Sequence, residues 1–513
     1  MTTVRVDHRV DAAGLAELRV PRDDLVSESV DESVGESADG TSASRFDLLE
    51  GPFETYQRTL DVEADGESHF RVTETFTYRE AVPFWRFATH YPIKWSIARR
   101  RPGGGQPWWA PPQRLDTRAA RVLTILCTLS VFAGYMGSVL SQTISFASDE
   151  FAISEATQGS ATALVRAGVL ISLVVTTLAD RRGRRMLLLG SAMLAAMLTA
   201  TGALVPGIWW LALSQGSARA ISTSLGILIG IVAAEELPAG SRAYGISIMA
   251  MLAGLGSGMV LWVLPFVGAE SGGWRVIYVI PLVFIPLISM AGRQLPETKR
   301  FERSDPAQGP TDAQRKLAYQ RLAMLAIGGF FFTIFSTPAS NFRVDFLKDE
   351  LGFNPGEISI FQFVTNTPIG IGVFAAGKLA DLYGRRIIAS VAIVGGVLFT
   401  ALSYALTGAS IWVFAGLGSV IGAMAVPALG VYGPELFSTR ERGRMNGIIT
   451  VVSVVGSAIG LIAVGFLKDR WGTFGPAFVA VSAGPVVLLV LIALFYPETA
   501  KTELEDINPR DRS

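Results

Sequence analysis

The sequence predicts an all-α membrane protein with 12 transmembrane helices in two pseudo-symmetric six-helix bundles, and a small cytoplasmic N-terminal extension that contains a β-hairpin. Three observations lead to this fold class. Hydrophobic residues make up 50% of the 513 residues and charged residues only 17%, against roughly 25% charged residues in soluble proteins. Apolar stretches long enough to cross a membrane fill the chain after residue 118. Two short motifs also recur at one fixed spacing.

The composition excludes several classes of protein. A formal net charge of zero indicates no nucleic-acid partner. The single cysteine, Cys127, leaves no intramolecular disulfide, and the three histidines all precede the first apolar stretch. The membrane part therefore has no histidine cluster that could hold a metal. We expect no enzymatic activity, no cofactor and no bound metal.

Residues 1–118 differ from the rest of the chain. Residues 21–50 contain nine acidic residues against two basic ones, and we expect them to be disordered. Apolar and polar residues then alternate on both sides of Asp65-Gly66, which predicts the β-hairpin. A basic and aromatic stretch over residues 83–112 comes last. It suits either the headgroup layer of an anionic membrane or packing against the hairpin.

Twelve apolar segments follow, each long enough to cross a membrane at roughly 20 residues. They run approximately over residues 119–147, 156–178, 186–206, 208–234, 243–267, 274–295, 321–341, 358–380, 386–407, 409–434, 445–467 and 474–496. The chain is thereby divided into an N-terminal bundle (119–295), a central cytoplasmic loop (296–320), a C-terminal bundle (321–496) and a cytoplasmic tail (497–513).

The charges of the connecting loops predict the orientation. Loops on one side of the membrane carry sixteen lysines and arginines, and loops on the other side carry five. Because loops rich in lysine and arginine remain in the cytoplasm, the first side is expected to be cytoplasmic. The even number of spans puts both termini on that side of the inner cell membrane.

The chain repeats itself at a spacing of 201 residues. In the first motif, an aspartate, a glycine and two arginines recur: Asp180, Gly183, Arg184 and Arg185, then Asp381, Gly384, Arg385 and Arg386. In the second motif, Pro296-Glu297-Thr298 recurs as Pro497-Glu498-Thr499. Two halves of the same topology, with a site at their interface, are typical of alternating-access transporters.

The loops with the first motif read Thr-Thr-Leu-Ala-Asp-Arg-Arg-Gly-Arg-Arg over residues 176–185 and Gly-Lys-Leu-Ala-Asp-Leu-Tyr-Gly-Arg-Arg over residues 377–386. Both resemble the loop signature of the Major Facilitator Superfamily, and the resemblance covers residues 119 to about 507. It implies a carrier in which this loop stabilises one conformational state. Glycine allows a tight turn, and the aspartate can cap a neighbouring helix. Thr176 stands where the family usually has glycine.

Further charged residues are similar to those of the sugar-porter and metabolite-symporter branches of that family. The resemblance implies a charge network that locks the inner gate, and the alternative is a set of independent loop charges. The candidate gating residues are Asp180, Gly183, Arg184, Glu236, Arg242, Asp381, Gly384, Arg385, Glu435 and Arg442.

Three departures from the family patterns narrow the expected substrate. Span 7 lacks the glutamine or tyrosine pair of sugar porters, and span 5 lacks the Gly-Pro pair of drug antiporters. Span 1 has Gly134-Tyr135-Met136 where many proton symporters have an aspartate, and no other span has a mid-membrane acid. Proton coupling through a span 1 carboxylate is therefore excluded.

Two arginines lie deep in the predicted spans, where an ionised group costs at least ~2.5 kcal/mol and is normally kept for function. Arg166 in span 2 and Arg219 in span 4 are both roughly 15 to 17 Å deep at 1.5 Å per residue. The alternative role for each is hydrogen bonding to carbonyls of facing helices. Polar side chains that could share a site with them are Tyr135, Gln142, Gln362 and Asn366. Such residues also serve helix packing.

Two arginines without an acidic partner at the same depth predict an anionic solute, because a bound anion would compensate their charge. We expect a secondary active transporter for a small organic anion, most plausibly a carboxylate. Protons would travel with the solute, or another anion would be exchanged for it, and membrane lipid would be the other partner. The alternatives are a sugar or drug transporter of the same superfamily, or a receptor that no longer transports.

Overall fold

The computed structural model describes residues 1–31, 42–66, 68–99, 105–153, 157, 161, 164–166, 168–267, 273–300, 311–508 and 511. The chain divides into two compact units, Met1–Ile125 and Leu126–Ser513.

The first unit is built on a five-stranded antiparallel sheet with the strand order β1-β5-β4-β3-β2. Its elements are β1 (Thr2–Val10), α1 (Ala12–Arg19), β2 (Ser27–Asp31), β3 (Ser42–Glu50), β4 (Phe53–Ala64), β5 (Phe70–Glu80) and α2 (Arg86–Ala98). The predicted hairpin is confirmed as β4 and β5, which pair from Phe53 opposite Glu80 to Ala64 opposite Phe70. The sheet continues on both sides of this hairpin, where the sequence analysis predicted no strands.

The expectation of disorder over residues 21–50 is wrong where these residues are described, because β2 and β3 form there. Residues 32–41 of this segment lie outside the described residues. The acidic residues are tolerated in the fold because they are paired: Glu28 accepts hydrogen bonds from Arg58 at 2.7 Å and from Tyr56 at 2.6 Å. Burial, together with the Glu28 carboxylate, raises the pKa of Tyr56 well above its usual value. Buried and fully hydrogen-bonded charges do not prevent folding.

The second unit is a bundle of membrane-length helices. The chain's helices continue as α3 (Thr117–Glu150), α4 (Val169–Arg182), α5 (Arg184–Thr201), α6 (Ile208–Glu236), α7 (Arg242–Val267), α8 (Arg275–Gln294), α9 (Asp312–Asn341), α10 (Gly356–Tyr383), α11 (Arg385–Ala405), α12 (Ser410–Leu436), α13 (Arg442–Trp471), α14 (Phe474–Phe495) and α15 (Leu504–Ile507). Eleven of the described helices are long and apolar enough to cross a membrane. Seven residues of predicted span 2 (156, 158–160, 162, 163 and 167) lie outside the described residues, and its second part forms α4.

Small residues allow helices of the bundle to pack closely. A Cβ atom at Gly134 of α3 would overlap the carbonyl of Ala253 on α7, and one at Gly256 of α7 would overlap the carbonyl of Val131. Helix association in membranes depends on such close backbone approach, because burial of apolar surface drives it little there. The backbones of α3 and α7 therefore approach closely at these two glycines.

Candidate functional site

The two repeated loops make the same turn. Gly183 between α4 and α5 has a φ of +103°, and Gly384 between α10 and α11 has a φ of +107°, a region that favours glycine. A carboxylate of the second repeated motif then caps the next helix in each half, by accepting a backbone N–H: Glu297 from Arg184 at 2.9 Å, and Glu498 from Arg385 at 3.0 Å. The two repeated motifs therefore meet in the same contact in each half.

Each repeated aspartate caps a helix of the opposite half. Asp180 accepts the backbone N–H groups of Gly443 and Arg444, at 2.9 and 2.8 Å, where α13 begins. Asp381 accepts those of Ala243 and Tyr244, at 3.2 and 2.9 Å, where α7 begins. A carboxylate at a helix N-terminus satisfies free N–H groups and complements the helix dipole. The predicted capping is therefore present, and it joins the two halves.

Two buried groups of charged residues extend these contacts. We call them the first charge cluster (Asp180, Arg184, Glu235 and Arg442) and the second charge cluster (Asp381, Arg385, Glu435 and Arg242). In the first, Arg184 lies 2.7 Å from Asp180 and 3.5 Å from Glu235, which also binds Arg442. In the second, Arg385 lies 3.3 Å from Asp381 and also binds Glu435, which lies 3.4 Å from Arg242. Each cluster combines three residues of one half with an arginine of the other.

Glu236 is not part of the first charge cluster, which corrects the sequence analysis. Its neighbour Glu235 is 3% exposed and contacts both arginines of the cluster. Glu236 accepts the backbone N–H of Lys299 at 3.0 Å instead. Adjacent helix residues point about 100° apart, so only one of the two glutamates can face the cluster.

The C-terminal tail, which the sequence analysis gave no role, adds carboxylates around both clusters. Glu503 lies 3.3 Å from Arg242, and Asp511 lies 3.4 Å from Arg442. Glu505 pairs with Arg300 at 2.8 Å. Burial alone would raise the pKa of Glu505, but the hydrogen bond to Arg300, a backbone hydrogen bond and the positive charges of Arg300 and Arg242 together lower the pKa. The tail therefore contacts arginines of both halves.

The departure of Thr176 from the family pattern is compensated on the facing helix. At the equivalent position in the other half, a Cβ at Gly377 would overlap the hydroxyl of Ser247 on α7. Opposite Thr176, α13 has Gly447, where a Cβ would lie 2.7 Å from the Thr176 hydroxyl oxygen. In one pair of helices the glycine lies on α10 and the larger residue, Ser247, on α7. In the other pair the larger residue, Thr176, lies on α4 and the glycine on α13. Close packing of α4 with α13 is retained.

Arg219 lies near the middle of α6, and its side chain is exposed. It is eleven residues from the start of the helix, which corresponds to about 16 Å. Its guanidinium donates to the carbonyl oxygen of Gly137 on α3 at 3.0 Å, and it is close enough to Arg166 for the two charges to repel each other. Among the described residues no carboxylate lies within ion-pair distance of Arg219. The two predicted arginines are thus brought into one region.

A cavity of about 420 Å³ lies between the two halves. Its polar lining includes Ser130, Thr223 and Asn446, and most of the wall is apolar. On α6 the lining positions are residues 223, 226, 227, 229 and 230, and three of them, 223, 226 and 230, follow Arg219 at helical spacing. Arg219 therefore occupies the same helix face as the cavity lining, one turn away.

Two of the predicted polar residues do not reach a described cavity. Tyr135 is fully buried, and its hydroxyl donates to the carbonyl oxygen of Ile277 at 3.0 Å, so it belongs to the packing of the N-terminal half. This corrects its place among the candidate binding residues. Gln142 is half-buried on α3.

A second cavity of about 380 Å³ lies within the C-terminal half. It brings together the predicted residues Gln362 and Asn366, which are one helical turn apart on α10. Arg343 also lines it, and the sequence analysis missed this residue because it follows the end of an apolar stretch. Its guanidinium donates to the Ser403 hydroxyl at 2.9 Å and lies 4.1 Å from the centre of the Tyr404 ring. Burial lowers the pKa of Arg343.

The comparisons with known proteins agree with this arrangement of two halves. A family model described as Major Facilitator Superfamily matches residues 125–342 and 324–511. The chain belongs to the Major Facilitator Superfamily. It is a membrane transporter of that superfamily, and the resemblance of the two motif loops is confirmed.

Individual relatives are more distant. The 3-(3-hydroxy-phenyl)propionate transporter of Escherichia coli K12 is 28% identical over 240 residues, which are 45% of this chain and 57% of that transporter's length. The solved structure of the proton:xylose symporter XylE has a TM-score of 0.65 at 18% identity and covers 77% of this chain and 99% of its own. The structure of the human organic anion transporter MFSD10 has a TM-score of 0.60 at 13% identity. It covers 73% of this chain and 99% of its own. The two structures support the Major Facilitator fold alone.

Proposed function

We propose that this Major Facilitator transporter carries a small organic carboxylate across the cytoplasmic membrane by alternating access. The observation that carries the proposal is the contrast between two kinds of arginine. Each arginine of the two charge clusters has a buried carboxylate partner. Arg219 has no carboxylate partner among the described residues, although it lies near the middle of a membrane-length helix. A substrate carboxylate would supply the missing negative charge and can accept two hydrogen bonds from one guanidinium.

The cavity next to Arg219 favours a substrate with an apolar body. It is within the size range of small-molecule sites, and its wall is mostly apolar. A carboxylate on Arg219 would place an aromatic or aliphatic group one helical turn along α6, beside Thr223. The name of the E. coli relative, a transporter of 3-(3-hydroxy-phenyl)propionate, describes a solute with these two parts. A neutral sugar would leave Arg219 without a counter-charge, which disfavours the sugar alternative.

The two charge clusters would hold one end of the transporter shut. Asp180 and Asp381 join α4 to α13 and α10 to α7 by accepting hydrogen bonds from backbone N–H groups. The ion pairs Arg442–Glu235 and Arg242–Glu435 also cross between the halves. These helix ends therefore cannot separate without breaking both kinds of contact. Opening this end would bring the eight charged groups into water, which compensates the lost contacts in part. The sequence places no mid-membrane carboxylate in span 1 for a proton. Protons would therefore be carried on the substrate, or a second anion would return in exchange.

The end that bears the charge clusters is expected to face the cytoplasm, with both termini. A cysteine at Glu63, an exposed position on β4, should resist a membrane-impermeant maleimide in intact cells and react after permeabilisation. Cys127→Ser removes the one native thiol in both variants. A cysteine at the exposed Asp349, between α9 and α10, serves as the control that should react from outside. Labelling of the Glu63 position in intact cells would refute this orientation.

Uptake into proteoliposomes tests the substrate class. Radiolabelled 3-(3-hydroxyphenyl)propionate should accumulate saturably, and unlabelled 3-phenylpropionate should compete while its amide and xylose should not. Uptake of xylose without competition by either acid would overturn the carboxylate proposal. Binding of the acid without any flux would instead support a receptor and would overturn transport.

A further inference from the structure

Helix α2 of the first unit presents an aromatic face that no described element covers. Phe87, Tyr91 and Trp95 are 75%, 77% and 47% exposed. They are spaced four residues apart, so they share one side of the helix within about 80° of arc. Surface helices of soluble proteins normally carry polar residues on this side.

The opposite side of α2 is already used. Ile93 and Ile97 are 3% and 1% exposed and pack into the core of the first unit with Phe53, Phe76 and Tyr78. The helix therefore satisfies its packing against the sheet with aliphatic residues. The aromatic residues remain exposed, so packing against the sheet accounts for the aliphatic side of the helix but not for its aromatic side.

The charged residues of the segment that contains α2 all have one sign. Residues 81–115 contain six lysines and arginines and no aspartate or glutamate. Lys94 is exposed on the same side as Phe87, and the guanidinium of Arg99 lies 4.7 Å from the centre of the Trp95 ring. Aromatic rings interleaved with cations favour the interface of an anionic bilayer, where rings bury among the headgroups and cations contact lipid phosphates.

The chain also limits how far this helix can lie from a membrane. Eighteen residues separate the end of α2 at Ala98 from the start of α3 at Thr117. Even fully extended, they reach only about 60 Å. A membrane surface is thus always available to this helix at high effective concentration.

We propose that the aromatic face of α2, defined by Phe87, Tyr91, Lys94 and Trp95, docks on the anionic lipid headgroups of the membrane that the second unit spans. The ligand is the lipid surface, recognised through phosphate groups and the apolar layer beneath them. This binding site is separate from the transport site and independent of its substrate.

The test uses the full-length chain in lipid vesicles, with Cys127→Ser and a fluorophore on a cysteine at Ala88. This exposed residue borders the aromatic face and leaves its side chains intact. In vesicles of phosphatidylcholine with about 30% phosphatidylglycerol, nitroxide-labelled lipid should quench the fluorophore at least about fivefold more than one at Glu63. Phosphatidylcholine alone, or high salt, should weaken the quenching, because both remove the attraction of the cations to phosphate.

A triple variant, Phe87→Ser, Tyr91→Ser and Trp95→Ser, should abolish the quenching, and Lys94→Glu should reduce it. All four side chains are exposed, so the core of the first unit is unchanged. Equal quenching at positions 88 and 63 in the wild-type background would overturn the proposal. Absent quenching together with energy transfer between two labelled copies would assign the face to a second copy of the chain, which also overturns it.

Discussion

Glu435→Gln is expected to open the charge-cluster end of the transporter. Glutamine keeps the shape of the side chain but leaves Arg385 and Arg242 buried without their shared carboxylate. Removing one partner of a buried ion pair costs about 3 to 5 kcal/mol. That cost applies only to the closed state, because the arginines are hydrated when the two halves separate. The equilibrium should therefore move toward the open state by roughly 150-fold or more.

Accessibility of the interface cavity measures this shift. A cysteine at Ala250, which lines the cavity on α7, should react faster with an impermeant maleimide in inside-out vesicles when Glu435→Gln is present. The expected increase is at least about tenfold, since part of the shift is lost if the starting population is not fully closed. Transport should slow, because a carrier held in one state cannot complete its cycle.

Glu503→Gln is the matched control. Glu503 also pairs with Arg242, at 3.3 Å, but its side chain is 50% exposed. Exposed ion pairs contribute only about 0 to 1 kcal/mol, so reactivity at Ala250→Cys should stay within about fivefold of the parent. Glu235→Gln, the equivalent change in the first charge cluster, should reproduce the effect of Glu435→Gln. Equal reactivity in Glu435→Gln and Glu503→Gln would show that the charge clusters do not hold this end of the transporter closed.

The membrane part was predictable because a bilayer allows few structures. Without water to pair with, backbone groups in the membrane must bond within each segment, so apolar stretches of this length become helices. The repeat then predicted the turn at Gly183 and Gly384 and the capping by Asp180 and Asp381. Both depend on backbone geometry that the motif residues themselves impose.

Residues whose role depends on distant side chains were harder to predict. Helix phase decides which of Glu235 and Glu236 faces the first charge cluster. The spacing between Glu435 and Arg442 in the other half already indicated which one. Shifted by 200 residues, that pair becomes Glu235 and Arg242. Arg343 gave no such signal, because Ser403 and Tyr404, which fix its side chain, are about 60 residues away in sequence.

The prediction of disorder for the acidic segment of the first unit was wrong for a different reason. Composition counts charges but not their partners, and Glu28 is acceptable in the fold only because Arg58, thirty residues later, lies against it. Tyr56 donates to the same carboxylate. A segment that is too polar to fold by itself can still supply a strand to a sheet whose other strands carry the complementary charges.

Arg219→Gln is expected to abolish recognition of the substrate carboxylate. The variant removes the charge and the paired donors while leaving a side chain that can still donate to the Gly137 carbonyl. Losing one partner of a desolvated, hydrogen-bonded charge pair costs about 2 to 5 kcal/mol, which is roughly 30-fold to several thousandfold in Kd. Arg219→Lys keeps the charge without the planar fork and should lose less affinity. Arg293→Gln, an exposed arginine on α8, removes the same charge and should leave Kd unchanged.

A pair of ligands distinguishes a lost contact from a damaged protein. In the parent, 3-phenylpropionate should bind more tightly than 3-phenylpropionamide, because only the acid supplies a negative charge to Arg219. In Arg219→Gln this preference should disappear while the amide binds as before, since the ring still occupies the same apolar cavity. Titration calorimetry in lipid nanodiscs measures both affinities. If the variant still prefers the acid by the parental factor, the carboxylate is held elsewhere, and Arg343 in the C-terminal cavity becomes the residue to substitute.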